Sequence, residues 1–434
     1  MAIKSPAARL RFFFYSHDGL GLGHTRRNLA VAAALADLAP QASILLATGI
    51  DDVSQLGVHP KIEVLKLPGL RKVANERYAA RRLHIPATDN LTLRSTLLTA
   101  AVQSFRPTVM LVDKHPLGAK GELRLALKVL KESGGRAALG LRDILDDRAA
   151  ILREWASYDL HTRIAELYDL VLVYGERAVF NLIDEYDLPA SVAIRTRFCG
   201  FAINESSTIE RANNRPPFTC AEGLSCSLTI RGTDNWRPPF IIQPRSRPIV
   251  LATPGGGEDG STLLKAFIRA ASGAPWDGIV VTGPMFPEKA YQIFRRLAAE
   301  AGVTLHFFVP DLAESFQQVD ALVCMGGYNT LAEALSRGTP TVCVPRTSPR
   351  SEQLIRARAF ARLGLLRVVE PDQLNTDSLR REVTAALELS RQELRDRANA
   401  ALDFNGAQRA AGHLIELAET LKSRVAVGSA RWGA

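Results

Sequence analysis

The residues best suited to chemistry in this chain stand behind glycines. Near the N-terminus, Gly19-Leu20-Gly21-Leu22-Gly23 runs into His24, Thr25, Arg26 and Arg27. In the last third, Gly326 and Gly327 lead into Tyr328, Asn329, Thr330 and, one helical turn on, Glu333. Between them stands Gly255-Gly256-Gly257, ahead of a helix expected from Ser261. Glycine allows sharp turns and close approach of backbone to a ligand. A turn at a helix N-terminus presents unsatisfied N–H groups and the positive end of the helix dipole to an anion, most often a phosphate. His24 is the candidate general base, since imidazole titrates near neutrality. Glu333 is placed for a carboxylate that accepts from two sugar hydroxyls. Neither role is forced. Thr330-x-x-Glu333 also has the spacing of a capping box, which needs no ligand, and a histidine at a helix N-terminus need have no role at all.

The elements that must hold these residues alternate between strand and helix. Arg11 to Ser16 reads as a strand, followed by a helix to about Leu38 that Pro40 ends. Further strands are expected at Ser43–Thr48, Ile62–Leu67, Thr108–Val112, Arg136–Leu141, Leu170–Tyr174 and Arg195–Phe201. The fourth of these seven ends in Asp113-Lys114-His115-Pro116, at the carboxyl edge where open α/β sheets bind ligands, so Lys114 and His115 join the candidates. Asp143, at the next strand end, is placed either to orient a histidine or to cap the following helix. Pro248–Ala252 restarts a sheet, with strands expected at Gly278–Gly283, Val303–Val309, Ala321–Cys324 and Thr341–Val344. A helix from about Asn329 to Arg337 is closed by Gly338 and Pro340, and residues 376–402 and 407–424 read as helices. The expected division is residues 1–203, a linker or insertion over 204–247 rich in proline and polar residues, and residues 248–434.

With 434 residues, 47% of them hydrophobic, the chain can bury two cores. The formal net charge of +9 fits anionic partners. No RNP, zinc-finger or helix-turn-helix pattern accompanies it, which argues against nucleic acid. Arg71, Lys72, Arg77, Arg81 and Arg82, with Tyr78 and Leu83 among them, read as a contact for an anionic surface, or as the solvated face of a loop or helix. The five cysteines show no CxxC spacing, an odd set that fits a reducing cytoplasm. No apolar run approaches the roughly 18 residues of a membrane span. The expectation is a cytoplasmic protein, at most peripheral to the inner face of a membrane.

The longer pattern narrows the chemistry. Strand, Gly326-Gly327, Thr330-x-x-Glu333, Gly338-x-Pro340, Val344-Pro345 and then Glu352-Gln353 resembles the donor half of GT-B glycosyltransferases. More narrowly it resembles family 28, which includes the lipid II-forming N-acetylglucosaminyltransferase. Gly21-x-Gly23-His24-x-x-Arg27 is similar to the N-terminal loop of that family, and more so to that of SpsG/PseG-type UDP-sugar hydrolases, which share the fold. The resemblance implies an α/β protein of the GT-B kind, two Rossmann-like domains facing an interdomain cleft. It implies ribose binding by Glu333, diphosphate binding by Gly255, Gly256, Gly257, Gly326, Gly327 and Thr330 with Asn329 beside them, the donor sugar near Glu352 and Gln353, and the base against backbone at Val309. The N-terminal half, with Gly21, Gly23, Arg27, Lys114 and His115, would face the acceptor, and His24 would deprotonate it. Implied too are inversion at the anomeric carbon, no metal and no cofactor beyond a UDP-sugar or other NDP-sugar substrate. The expected activity is transfer of a hexose or N-acetylhexosamine to an unidentified acceptor. The alternatives are a UDP-sugar hydrolase and a non-catalytic nucleotide-sugar binding protein. Met325 and Tyr328-Asn329 depart from the family pattern and argue against the lipid II reaction in particular.

Overall fold

The computed structural model describes residues 10–16, 23–50, 53, 56–74, 77–203, 246–257, 259–309 and 311–430. Gly21 and nearly all of the 204–247 segment lie outside the described residues, as do Cys220 and Cys226. In chain order the strands are β1 (Arg11–Tyr15), β2 (Ser43–Thr48), β3 (Ile62–Lys66), β4 (Leu70–Ala74), β5 (Arg77–Ala80), β6 (Val109–Asp113), β7 (Arg136–Arg142), β8 (Leu170–Tyr174), β9 (Thr196–Phe198), β10 (Ile249–Thr253), β11 (Asp277–Val281), β12 (Thr304–His306), β13 (Ala321–Cys324), β14 (Thr341–Cys343) and β15 (Arg367–Val368). The helices are α1 (Gly23–Leu38), α2 (Ala87–Phe105), α3 (Arg124–Glu132), α4 (Arg148–Ser157), α5 (Leu160–Leu167), α6 (Leu182–Glu185), α7 (Ala190–Ala193), α8 (Ser261–Ala271), α9 (Glu288–Glu300), α10 (Tyr328–Ser336), α11 (Glu352–Arg362), α12 (Thr376–Leu387), α13 (Arg391–Ala401) and α14 (Gly406–Ala430).

Two parallel sheets result. The first runs β3-β2-β1-β6-β7-β8-β9 and the second β12-β11-β10-β13-β14-β15. Helices cover both faces of each sheet, so the central strands are apolar without alternation. Phe12 and Phe14 of β1 enter one core cluster while Phe13 and Tyr15 enter another on the opposite face. In both sheets the chain order reverses beside the first strand, β1 between β2 and β6 and β10 between β11 and β13. The crevice beyond the carboxyl ends at such a reversal is where open α/β sheets take ligands.

One core cluster crosses the domain boundary. It joins Leu29 to Leu35 of α1 to Leu331 and Leu335 of α10 and to Ala407, Ala410, Ala411, Leu414 and Ala418 of α14. The small stripe of α14 lets that helix lie close against α1, so the last helix of the chain is part of the N-terminal domain's packing. The two crossings between domains run side by side: Phe201 N–H donates to Asp403 O at 2.6 Å, and Ala202 bridges Asn405. Gly200 (φ +82°) is needed there, because a Cβ would stand 2.4 Å from Asp403 O.

Several expected elements are corrected. The basic stretch from Arg71 to Arg82 is neither helix nor plain loop but the antiparallel β4–β5 hairpin, lying outside both sheets. Near it Leu83, Ile85, Leu93 and Leu97 are exposed. Residues 376–402 form two helices, α12 and α13, because the Ser390 side chain accepts from Glu393 N–H and starts a new one. The expected strand over Val303–Val309 is three residues long, Thr304–His306, and that over Arg195–Phe201 is only Thr196–Phe198.

Candidate active site

The first turn of α1 is polar yet buried, which a surface helix would not be. Thr25, Arg27 and Asn28 are all within 2% exposure, because α1 is pressed between the sheet and α14. Asn28 Nδ2 donates to Tyr15 O and Ser16 Oγ and so fixes the start of α1 over the end of β1. This sets His24 above the adjacent strand, β6, whose last residue is Asp113. His24 Nδ1 and Asp113 Oδ2 are 2.5 Å apart. Arg27 Nη2 donates to the other oxygen, Asp113 Oδ1, also at 2.5 Å. The guanidinium beside it and the imidazole hold the Asp113 carboxyl well below the usual range, so it is ionised and can only accept. His24 Nδ1 therefore carries the hydrogen and the lone pair sits on Nε2. Burial pushes the His24 imidazole down to about 4 against the opposing pull of Asp113, so it is neutral at pH 7. A neutral, oriented imidazole is the form a general base needs.

Asp113 was not among the candidates expected at this strand end, although its neighbours were. Lys114 (φ +67°) and His115 lie just past it, beside a small pocket they share with Glu154, Trp155 and, from the other domain, Arg350. Asp143 does neither of the things expected of it. It accepts two bonds of 2.7 Å from Arg356 of α11, across the domain boundary, and Asp147 caps α4 instead.

The opposite wall is built from the second domain. The capping-box reading of Thr330 and Glu333 does not hold: α10 begins at Tyr328, three residues before that reading requires, its N-cap is Gly327, and no side chain caps it. The first helical bond is Leu331 N–H to Gly327 O at 3.0 Å, which leaves the amides of Tyr328, Asn329 and Thr330 at an open helix N-terminus. Thr330 Oγ1 lies between two glycine turns, 3.8 Å from where a Cβ would stand on Gly255 or on Gly327. Glu333, one turn on, is half-buried with its carboxyl raised by burial, against the lowering influence of Arg26 and Arg337. Asn329 Nδ2 reaches Gly23 O at 3.5 Å, so the head of α10 and the head of α1 meet directly across the cleft.

The other candidates are distributed around this meeting point. Gly256 has open space beside it, a Cβ there lying no closer than 3.9 Å to its nearest neighbour, Met285 Sδ, whereas Gly257 (φ +97°) is packed against the Thr282 carbonyl. Gly326 (φ +85°) backs onto Cys343 and Gln353, and its carbonyl accepts from Arg356 Nη1 at 3.1 Å. Glu352 is 3% exposed and ion-paired with Arg346, which also reaches Asp259. Gln353 Oε1 accepts from Arg346 N–H, and Val309 is buried. Sequence reasoning left Tyr174 and Arg356 unassigned, and noted Tyr328 only as a departure from the family pattern. The Tyr328 ring is flanked by Arg27 at 5.5 Å and Arg356 at 5.8 Å, and Tyr174 lies 5.1 Å from Arg27. Nothing in the sequence marks that stack, since its members come from four separate elements.

Comparison with known proteins agrees with this architecture. Residues 279–413 match the glycosyltransferase family 28 C-terminal domain. A UDP-N-acetylglucosamine–N-acetylmuramyl-(pentapeptide) pyrophosphoryl-undecaprenol N-acetylglucosamine transferase of Mannheimia succiniciproducens is 27% identical over 168 residues, 37% of this chain and 46% of that protein. The protein of the same description from Anaeromyxobacter is 26% identical over 209 residues, 46% of this chain and 51% of its own. The alignment thus spans about half the length of these relatives. Among solved structures, Acinetobacter baumannii MurG aligns over 95% of this chain and 99% of its own with a TM-score of 0.56 at 13% identity. Medicago truncatula UGT71G1, complexed with UDP-glucose, aligns over 94% and 98% with a TM-score of 0.58 at 13% identity. The chain has the GT-B fold, and its residues 279–413 are similar to the family 28 C-terminal domain.

Proposed function

We propose that the protein is a glycosyltransferase that moves a sugar from a nucleoside diphosphate to an acceptor hydroxyl. One observation carries the reading: the His24–Asp113 pair, 2.5 Å apart, stands where the head of α1 meets the uncapped head of α10. In the proposed step His24 Nε2 takes the proton of the acceptor hydroxyl as its oxygen attacks the anomeric carbon. The bond from that carbon to the diphosphate breaks, and the electron pair leaves with the nucleotide. Asp113 stabilises the imidazolium that forms, at Nδ1. The negative charge growing on the diphosphate falls on the α10 amides and the glycine turns, with Thr330 Oγ1 between them. Attack from the α1 side on a donor held from the α10 side gives inversion. Glu333 is the proposed ribose ligand, Gly255, Gly256 and Gly327 the backbone that approaches the diphosphate, and Val309 part of the base site. Gly257 and Gly326 act in this proposal through packing. Glu352 and Gln353, each with only its Oε1 held by Arg346, are the proposed contacts of the donor sugar.

The names of the relatives support a UDP-sugar donor, since the Mannheimia protein is named for transfer from UDP-N-acetylglucosamine and the Medicago structure holds UDP-glucose. Exposed Leu83, Ile85, Leu93 and Leu97 beside the basic hairpin suit an acceptor presented at an anionic membrane. No helix among the described residues is long and apolar enough to cross one. The test is nucleotide release from a panel of UDP- and dTDP-sugars, with and without anionic vesicles and candidate acceptors, for wild type, His24→Ala and Glu333→Ala. Release that needs an acceptor, falls about 10²–10⁴-fold in His24→Ala and shows a raised donor KM in Glu333→Ala is the expected result. Equal release without acceptor would make the protein a hydrolase. Failure to bind any nucleotide-sugar would end the proposal.

A further inference from the structure

We infer that Arg142 is an anion receptor in the interdomain cleft, taking a phosphate or carboxylate oxyanion of the bound substrate. The inference rests on the proposal that the cleft receives a nucleotide-sugar and its acceptor. Arg142 is the last residue of β7, in register with Tyr174 of β8 and two residues beyond Gly140, which pairs with Asp113. It is half-buried, and its Nε is shut off from solvent without a partner. Its guanidinium makes no hydrogen bond or ion pair with any described residue. Four other arginines of the cleft are engaged: Arg27 with Asp113, Arg356 with Asp143, Arg346 with Asp259 and Glu352, and Arg350 with Glu154. Arg142 is therefore a cation in excess.

Its surroundings make that excess costly. Burial lowers the guanidinium, Arg356 and Arg27 repel it, and the attraction of Glu352 is not closed into a pair. Glu352 Oε2 is itself buried without a partner. A desolvated charge without a counter-ion destabilises a fold. Such a charge is tolerated where a ligand supplies the opposite one, and a guanidinium fork takes two oxygens of a phosphate or carboxylate at once. Two sources can supply the oxyanion here, the donor's diphosphate or an acid group on the acceptor.

Calorimetric binding to wild type, Arg142→Gln and Arg142→Lys separates them. UDP bound at least about tenfold more weakly by Arg142→Gln, with Arg142→Lys between, identifies the donor diphosphate. UDP bound equally, but phosphate or acetate bound by the UDP-saturated wild type and not by Arg142→Gln, identifies the acceptor. In either case the thermal midpoint of ligand-free Arg142→Gln is equal to or above that of wild type. Should UDP not bind at all, the fault lies with the donor-site proposal, and inorganic pyrophosphate still reads Arg142. Equal affinity of wild type and Arg142→Gln for all these anions overturns the inference, as does a midpoint that drops in Arg142→Gln and is restored by Arg142→Lys with no change in anion binding.

Discussion

His24 and Asp113 give the fold two successive losses of stability in acid. The folded imidazole sits at about 4 while an unfolded histidine titrates near 6.5, so between those values the unfolded chain binds a proton that the folded chain refuses. Stability therefore rises with pH across that window, and falls by up to roughly 3 kcal/mol as pH drops from neutrality to about 4. Asp113 has the same relation, a folded value below its unfolded one, so its contribution is likewise lost in acid, but only at lower pH, below about 3.9. The expected outcome is that denaturant unfolding at pH 4.5 and 7 shows a larger acid loss for wild type than for His24→Gln. Equal losses would mean the imidazole is not desolvated. Asp113→Asn should leave the pair sterically intact but remove the charge that fixes the Nδ1–H tautomer, lowering transfer by roughly 10²–10⁴-fold.

Among the elements, the glycine loop between β10 and α8 divides its work. Gly257 (φ +97°) would place a Cβ 2.4 Å from the Thr282 carbonyl, so the backbone itself must shift to admit any side chain. Gly256 has no such conflict. Gly257→Ala should cost at least about 2 kcal/mol of stability, whereas Gly256→Ala should fold within about 0.5 kcal/mol of wild type. In the proposed function Gly256→Ala crowds the diphosphate, so UDP affinity should fall there with little change in stability. Parallel denaturation and UDP titration of the two variants checks both halves. A Gly256→Ala variant that binds UDP normally would remove that glycine from the donor site.

At the scale of the whole molecule, a buried ion pair joins the domains. Arg356 and Asp143 are each within about 2% exposure, bonded twice at 2.7 Å, and Arg356 also holds the Gly326 carbonyl of the turn ahead of α10. Removing one partner strands the other charge in the interior. Arg356→Met or Asp143→Leu alone should therefore cost roughly 3–5 kcal/mol, and the double variant markedly less. A calorimetric scan should show the single variants unfolding in two separated transitions where wild type shows more overlap. A double variant as damaged as the sum of the singles would mean the two side chains do not act as a pair.

The local grammar of the chain was enough to expect two α/β halves. Apolar runs of strand length, glycine turns and helix stops are written in neighbouring residues, so β1, β8, α10 and the end of α1 were legible within a residue or two. Gly338 (φ +64°) stops α10 where glycine is least strained. The β4–β5 hairpin was not legible, because its charged residues show no clear alternation, and the break between α12 and α13 rests on one serine cap. The carboxylate beside His24 was not legible either. Asp113 and Asp143 both stand at strand ends, and local sequence cannot rank them. Sheet order decides it: β6 lies next to β1 and puts Asp113 under the head of α1, while β7 lies one strand further and leaves Asp143 to Arg356. Pairings between residues 89 or 213 positions apart are properties of the packed molecule. The sequence by itself determined which residues can turn, cap or titrate, because those are short-range properties of backbone and side chain. Only the tertiary structure decided which charges are paired, which imidazole is neutral and which arginine is left over, because burial and partners come from elements distant in the chain.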